Sequence, residues 1–317
     1  MTTHQVTVLT AEASDYAALV PGSLPEHVVL DCVTDDPTKV DLENTTILLA
    51  DPDLAAQVIP HMPKLVWCQS IWAGNRPLLA LDRKDYILTP AKGVFDVQMR
   101  EFVFTYLLHY CRNVDGYREA QQQKDWFQPS FGRLCGRTLG ITGAGSIAKA
   151  LLPVAASLGL KVIGVSRSGE HQDGYDQIYT WDTMDEFASR CDYVLNLMPD
   201  TPQSANLLNK DFFARLPDHC VLINAGRGTA IVDEDLIAAL DANQLQAAVL
   251  DVFREEPLPA SHLFWAHPKI RITQHTAAES RPEDIAALFV DNLELLLVLF
   301  HETMHNIVHI DNHQIQQ

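Results

Sequence analysis

Four side chains far apart in the chain could share proton and anion chemistry: Arg227, Asp251, Glu256 and His275. Each lies at or just past the end of a short apolar run. Val221–Asn224 leads to Ala225-Gly226-Arg227-Gly228, Ala247–Leu250 leads to Asp251 with Glu256 soon after, and residues 270–273 lead to His275. Ligands of open parallel α/β sheets bind beyond the carboxyl ends of the strands, so a guanidinium, a carboxylate and an imidazole are expected on one rim. A guanidinium grips a carboxylate in a planar fork. An imidazole moves protons near neutral pH, and a neighbouring carboxylate favours its charged form. Taken singly each has a plainer reading. Arg227 could be a surface charge at a helix entry, Glu256 a solvated loop acid and His275 a capped loop histidine.

A further strand end makes the coincidence informative. Thr138–Thr142 runs into Gly143-Ala144-Gly145-Ser146-Ile147-Ala148, a Gly-x-Gly-x-x-Ala turn ahead of a helix expected over residues 146 to about 158. Gly143 lets the backbone turn tightly, Gly145 removes a Cβ that would block a pyrophosphate, and Ala148 is small enough for the helix to pack on the strand. The N–H groups of Ser146 and Ile147 stand at the positive end of the helix dipole, where an anion is favoured. A second strand, Lys161–Val165, follows. An NAD site usually ends that strand with an acid about twenty residues past the glycines. Here the chain reads Val165-Ser166-Arg167-Ser168, with no acid until Glu170. Arg167 can pair with a 2′-phosphate, and the hydroxyls of Ser166 and Ser168 can donate to it. The expected cofactor is therefore NADP(H), with NAD(H) as the alternative.

The elements that must position these groups alternate strand and helix. Before the glycine turn, strands are expected over 6–9, 28–30, 46–49, 65–69 and 86–88, with helices over 14–20, 54–61 and 76–81. A long helical stretch from about 94 to about 122 follows, then a loop over 129–136. After residue 165 come a strand over 193–197, a mostly helical stretch over 207–215, and a helix Asp233–Asp241 with Ile237 and Leu240 inward. Ser280-x-x-Glu283 reads as a capping box opening an apolar helix to about Phe300. The pattern predicts two doubly wound, Rossmann-like parallel-sheet domains. A flavodoxin-like substrate domain takes 1–95 and 286–317, and a dinucleotide-binding domain takes 96–285.

Composition narrows the class. At 317 residues, 47% hydrophobic and 20% charged, the chain reads as an ordinary globular protein. Its 23 basic against 41 acidic side chains give −18, a field that repels nucleic acid and demands local positive charge wherever a small anion binds. No apolar run or leader pattern suggests a membrane partner. Six scattered cysteines without a Cys-x-x-Cys pair suggest reduced thiols and a cytoplasmic setting. His301, His305, His309 and His313 are spaced four apart. The β-branched residues around them favour an extended tail, in which such imidazoles stand about 13 Å apart. No metal site is expected.

Together the segments Gly140 to Ala148, Asn224-Ala225-Gly226-Arg227-Gly228, Leu250 to Pro259, and Ile272-Thr273-Gln274-His275-Thr276-Ala277-Ala278 resemble the D-isomer-specific 2-hydroxyacid dehydrogenase family over essentially the whole chain. Ile71-Trp72-Ala73-Gly74, Gly93-Val94-Phe95-Asp96 and Ser166-Arg167-Ser168 bring it nearest to the glyoxylate/hydroxypyruvate reductase A group. The resemblance implies a reductase of short 2-oxo acids in which His275 is the catalytic acid, Glu256 its partner and Arg227 the substrate-carboxylate ligand. It also implies substrate contacts from Trp72, Ala73 and Gly74, cofactor contacts from Ala225 and Asp251, and a homodimer. Trp72 could otherwise be a core residue. Two departures stand out: Gln274 replaces a frequent proline, and Asn75-Arg76 replaces a frequent Val-Asp pair. Glu256 stands where formate enzymes carry Gln, which disfavours formate, whereas phosphite stays open as a substrate. A non-catalytic dinucleotide-sensing, corepressor-like protein on the same fold is the rival reading.

Overall fold

The computed structural model describes residues 4–25, 27–126, 128 and 131–305, the last six of these as backbone only. The chain divides into two compact units, Met1–Val94 with Ser280–Gln317, and Phe95–Glu279.

The first unit holds β1 (His4–Leu9), α1 (Ala13–Leu19), β2 (Val28–Thr34), β3 (Ile47–Ala50), α2 (Pro52–Val58), β4 (Trp67–Ser70), α3 (Arg76–Leu79) and β5 (Ile87–Thr89). The strands form a parallel sheet in the order β2-β1-β3-β4-β5. Its central strand β3 is four apolar residues buried on both faces, as a strand covered by helices on each side requires. The helix Pro282–His305 returns to this unit. Phe289 stacks on Trp67 with ring centroids 5.2 Å apart, and Asn292 Nδ2 donates to Gln69 Oε1 at 2.8 Å.

The second unit begins with α4 (Asp96–Cys111) and α5 (Val114–Gln123), followed by β6 (Thr138–Thr142), α6 (Ser146–Ser157), β7 (Lys161–Val165), β8 (Gln177–Tyr179), α7 (Met184–Ser189) and β9 (Tyr193–Asn196). Then come α8 (Lys210–Phe213), β10 (Val221–Asn224), α9 (Asp233–Asp241), β11 (Ala247–Leu250) and β12 (Ile270–Ile272), with α10 (Pro282–His305) closing the chain back in the first unit. All seven strands run parallel in the order β12-β11-β10-β9-β6-β7-β8. From β6 the chain winds outward to β7 and β8, then returns to the other side of β6 as β9. The switch point therefore lies between β6 and β9, where such sheets open a crevice for ligands.

Several expectations from sequence are corrected. The single helix over 94–122 is two, because Asn113 takes a left-handed conformation (φ 49°) and its side chain accepts from the Gly116 N–H, capping α5. The stretch 207–209 is not helical. Leu208 forms a parallel bridge to Ile231, and Asn209 caps α8 by accepting from the N–H groups of Asp211 and Phe212. In α9 the fully buried face is Leu236, Ala239 and Leu240, with Ile237 at its margin. The capping box at Ser280 gives way to proline entry: α10 starts at Pro282, and the Ser280 hydroxyl donates to the Ile71 carbonyl at 2.9 Å. The helix also runs past Phe300 to His305, so Met304 and His305 are helical rather than extended. His309 and His313, and the side chains of His301 and His305, lie outside the described residues. β8 and α7 had no counterpart among the expected elements.

At the edge away from the crevice, Asp192 ties three strand starts together. Its carboxylate accepts from Thr138 N–H at 2.7 Å, from Arg137 at 2.5 Å and from His219 Nε2 at 2.7 Å. Burial alone would raise this carboxyl, but the Thr138 hydrogen bond, with those from His219 and Arg137, outweighs it and holds the group below the ordinary aspartate range. A carboxyl depressed in the folded state stabilises the fold fully above its unfolded value, and that contribution fades as pH falls through the lowered folded value. Asp192→Asn should cost about 1–3 kcal/mol at neutral pH. Urea unfolding should show this deficit shrinking in acid; a deficit that holds its size below pH 3.8 would contradict the assignment.

Candidate active site

The residues singled out in the second unit stand where its strands end. Gly143 follows β6 at φ +93°, a conformation open to glycine, and a Cβ there would come within 2.8 Å of the Leu197 backbone. A Cβ at Gly145 would meet nothing within 4 Å, so the glycine leaves open space at the start of α6. Ser146 is exposed and Ile147 half-buried at that helix end, while Ala148 is fully buried. This cradle, with the first N–H groups of the helix beside open space, fits a pyrophosphate. After β7, Ser166 Oγ accepts from Gly169 N–H at 3.1 Å and Ser168 Oγ accepts from Glu170 N–H at 3.3 Å. The turn they close presents Arg167 exposed to solvent.

At the end of β10, Ala225 N–H donates to the Asn196 carbonyl at 3.1 Å. Arg227 is half-buried, and one guanidinium N–H donates to the Gly226 carbonyl at 2.6 Å. The next residue admits no side chain: a Cβ on Gly228 would lie 1.9 Å from the Phe253 carbonyl carbon. The segment carrying Arg227 is thus pressed against the segment carrying Glu256. Arg254, which sequence reasoning passed over, holds the same two segments together. Its guanidinium donates to the Asn206 side-chain oxygen and the Ile231 carbonyl, and its Nε sits 3.5 Å from Asp233.

Glu256 and His275 meet directly. One Glu256 oxygen accepts from Phe253 N–H at 2.7 Å, and the other lies 2.7 Å from His275 Nδ1. A carboxylate at that distance assigns the proton to Nδ1 and leaves Nε2 for exchange with a substrate. The imidazole is about half exposed, with a side-chain accessibility of 52%. Its backbone is left-handed (φ 59°), as is that of Gln274 (φ 57°). Proline, fixed near −65°, cannot take the conformation found at Gln274, so that departure from the family pattern goes with the backbone path seen here.

Asp251 is a buried hub of this rim. It is 2% exposed, and its carboxylate accepts from Thr273 Oγ1 at 2.6 Å, Thr276 N–H at 2.8 Å and Ala277 N–H at 3.1 Å. His275 N–H donates to its backbone carbonyl at 2.6 Å. Asp251 therefore shapes the histidine loop from a buried position.

In the first unit, Trp72 and Ala73 are exposed and Gly74 half-buried just past β4. At 39% exposure Trp72 is not a core residue. Its N–H donates to Ser70 Oγ, and its carbonyl accepts from Ala91 N–H. Among the described residues no group of three or more His, Cys, Asp or Glu side chains is placed to hold a metal ion, and no helix is long and apolar enough to cross a membrane.

A seven-stranded doubly wound sheet with a glycine cradle at its switch point, and an acid–imidazole pair on the same rim, is the architecture of a dinucleotide-binding domain. Comparison with known proteins agrees. Residues 104–277 match the family model of the D-isomer specific 2-hydroxyacid dehydrogenase, NAD binding domain. A glyoxylate/hydroxypyruvate reductase A of Yersinia enterocolitica is 38% identical over 201 residues, 63% of this chain and 64% of that protein. The chain thus spans somewhat under two thirds of the length of the curated relatives it matches. Among solved structures, a D-isomer specific 2-hydroxyacid dehydrogenase family protein from Aeromonas salmonicida superposes with a TM-score of 0.84 at 34% identity, covering 93% of this chain and 96% of that one. An NADPH-dependent glyoxylate/hydroxypyruvate reductase from Sinorhizobium meliloti, solved with NADP and sulfate, gives 0.81 at 30% identity, covering 94% and 95%. The chain belongs to the D-isomer specific 2-hydroxyacid dehydrogenase family.

The contact at Gly228 yields a direct test of the packing. Gly228→Ala must displace the Phe253–Arg254 backbone and should cost about 1–3 kcal/mol in unfolding free energy. Chemical denaturation measures it, and a variant as stable as the parent would show that the two segments do not press on each other.

Proposed function

We propose that this enzyme is an NADPH-preferring reductase of short 2-oxo acids, glyoxylate and hydroxypyruvate foremost, yielding D-2-hydroxy acids. The observation that carries the reading is the 2.7 Å contact between Glu256 and His275 Nδ1 on the rim that also bears the glycine cradle. A bound nicotinamide supplies hydride to the keto carbon. As negative charge grows on the carbonyl oxygen, His275 Nε2 gives it a proton. Glu256 holds the ring by Nδ1 and stabilises its cationic form. Arg227 binds the substrate carboxylate and polarises the ketone. Trp72, Ala73 and Gly74 are assigned to substrate binding on resemblance alone.

The NADP(H) preference rests on Arg167, exposed on its turn with Ser166 and Ser168, and on the NADPH-dependent relative named above. In the same reading the enzyme is a cytoplasmic homodimer. The family resemblance supports the dimer, and six unpaired thiols suit a reducing compartment.

Steady-state assays with a panel of 2-oxo acids and both cofactors test the assignment: sustained NADPH oxidation with glyoxylate or hydroxypyruvate is expected. Dinucleotide binding without turnover would point instead to a sensor. Arg167→Asp should weaken NADPH binding by about tenfold or more, the worth of one charged hydrogen bond, and leave NADH less affected; an unchanged NADPH affinity removes Arg167 from the site. His275→Ala should lower kcat by about 10²–10⁴ while NADPH still binds. In Glu256→Gln the ring loses its charged partner, so kcat should fall while NADPH still binds. An unchanged kcat excludes Glu256 from this role.

A further inference from the structure

Three side chains that end adjacent strands of the second unit are fully buried and joined in a row: Thr142 of β6, Asn196 of β9 and Asn224 of β10. The register sets Thr142 opposite Asn196, and Asn196 opposite Asn224. Thr142 Oγ1 donates to Asn196 Oδ1 at 2.8 Å, and Asn196 Nδ2 donates to Asn224 Oδ1 at 2.8 Å. Asn224 Nδ2 then donates to the Arg227 carbonyl at 3.2 Å.

The direction of this row follows from groups that can only donate. Met198 N–H donates to Asn196 Oδ1 at 3.1 Å, and Gly226 N–H donates to Asn224 Oδ1 at 3.2 Å. A flip of either amide would set an N–H against an NH2 group, so both orientations are determined and the Thr142 hydroxyl must be a donor. Sheet packing at these positions needs only apolar side chains, and buried amides are tolerated because every partner is satisfied. What the amides add is direction. Asn224 holds both Gly226 and Arg227 by their backbones, while Asn196 holds Asn224 and the loop after β9.

We infer that Asn224 is a positioning residue for Arg227, oriented by Asn196, and that the row sets the direction in which the guanidinium leaves the chain. The inference rests on the reading of Arg227 as the ligand of the substrate carboxylate. Asn224 touches neither substrate nor cofactor; it acts through the backbone of the arginine.

The test is a double-mutant cycle on the full chain, with glyoxylate and NADPH as probes. Asn224→Asp keeps an acceptor for Gly226 N–H and Asn196 Nδ2 but opposes the Arg227 carbonyl with an oxygen. Its kcat/KM should fall by about 10- to 100-fold, mostly through KM for glyoxylate, while the Kd for NADPH measured by fluorescence stays close to the parent's. In the Arg227→Ala background the same substitution should cost nothing further, which a general loss of structure would not produce. Costs that add in full, or an unchanged kcat/KM in the single variant, overturn the inference. An Arg227→Ala single variant with full activity overturns the reading of Arg227 itself, and that arm is read separately. Should Asn224→Asp not fold, Asn224→Ala, which also removes the donor to Arg227 but introduces no charge, takes its place in the same cycle.

Discussion

Seven strands that all run one way leave every loop that follows them at one edge of the sheet, and the chemistry of this protein depends on that constraint. Parallel pairing forces the chain to cross back under the sheet after each strand, so residues distant in sequence arrive side by side. Gly143, Arg227, Asp251 and His275 are neighbours in this sense because β6, β10, β11 and β12 are in register. The opposite edge carries a different kind of residue: Asp192, with Arg137 and His219, binds strand starts to one another and holds no part of the rim.

Placement at one edge is coarse, and finer positioning comes from contacts that exclude alternatives. Gly228 allows the arginine segment to lie against the Phe253–Arg254 backbone, and Arg254 fastens the same two segments from outside. Asp251 gathers three donors from the histidine loop onto one buried carboxylate, and this helps to hold His275 left-handed. Left-handed non-glycine residues cost about 1–3 kcal/mol and persist where surrounding structure over-determines them. Here that structure is the Asp251 hub together with the Glu256 contact.

Much of this was legible in the sequence because strand ends leave local marks. Apolar runs followed by arginine, aspartate or histidine located β10, β11 and β12 and the groups they carry, and the strand–Gly-x-Gly–helix pattern located the cradle. Asp251 was legible as a residue but not as a hub, since burial of a carboxylate depends on donors more than twenty residues away. The break at Asn113 was written in an Asn-x-x-Gly cap, but the surrounding run of apolar and helix-favouring residues masked it. Leu208 was misread because its partner Ile231 is distant, and a lone bridge leaves no periodicity. Thr142, Asn196 and Asn224 did leave a mark: each closes a largely apolar strand with a hydroxyl or amide. Its meaning emerges only when the three strands are set side by side.

The central claim is that His275, held by Glu256 beside a bound nicotinamide, protonates the oxygen of a 2-oxo acid as hydride reaches its carbon. Reduction of glyoxylate with NADPH deuterated at the transferring C4 position, followed by mass spectrometry of the product, tests this most directly. The account predicts deuterium at C2 of the product with the parent enzyme, and almost none with His275→Ala at a saturating cofactor concentration. Equal transfer by the two proteins, or none by the parent under conditions where it binds NADPH, would contradict it.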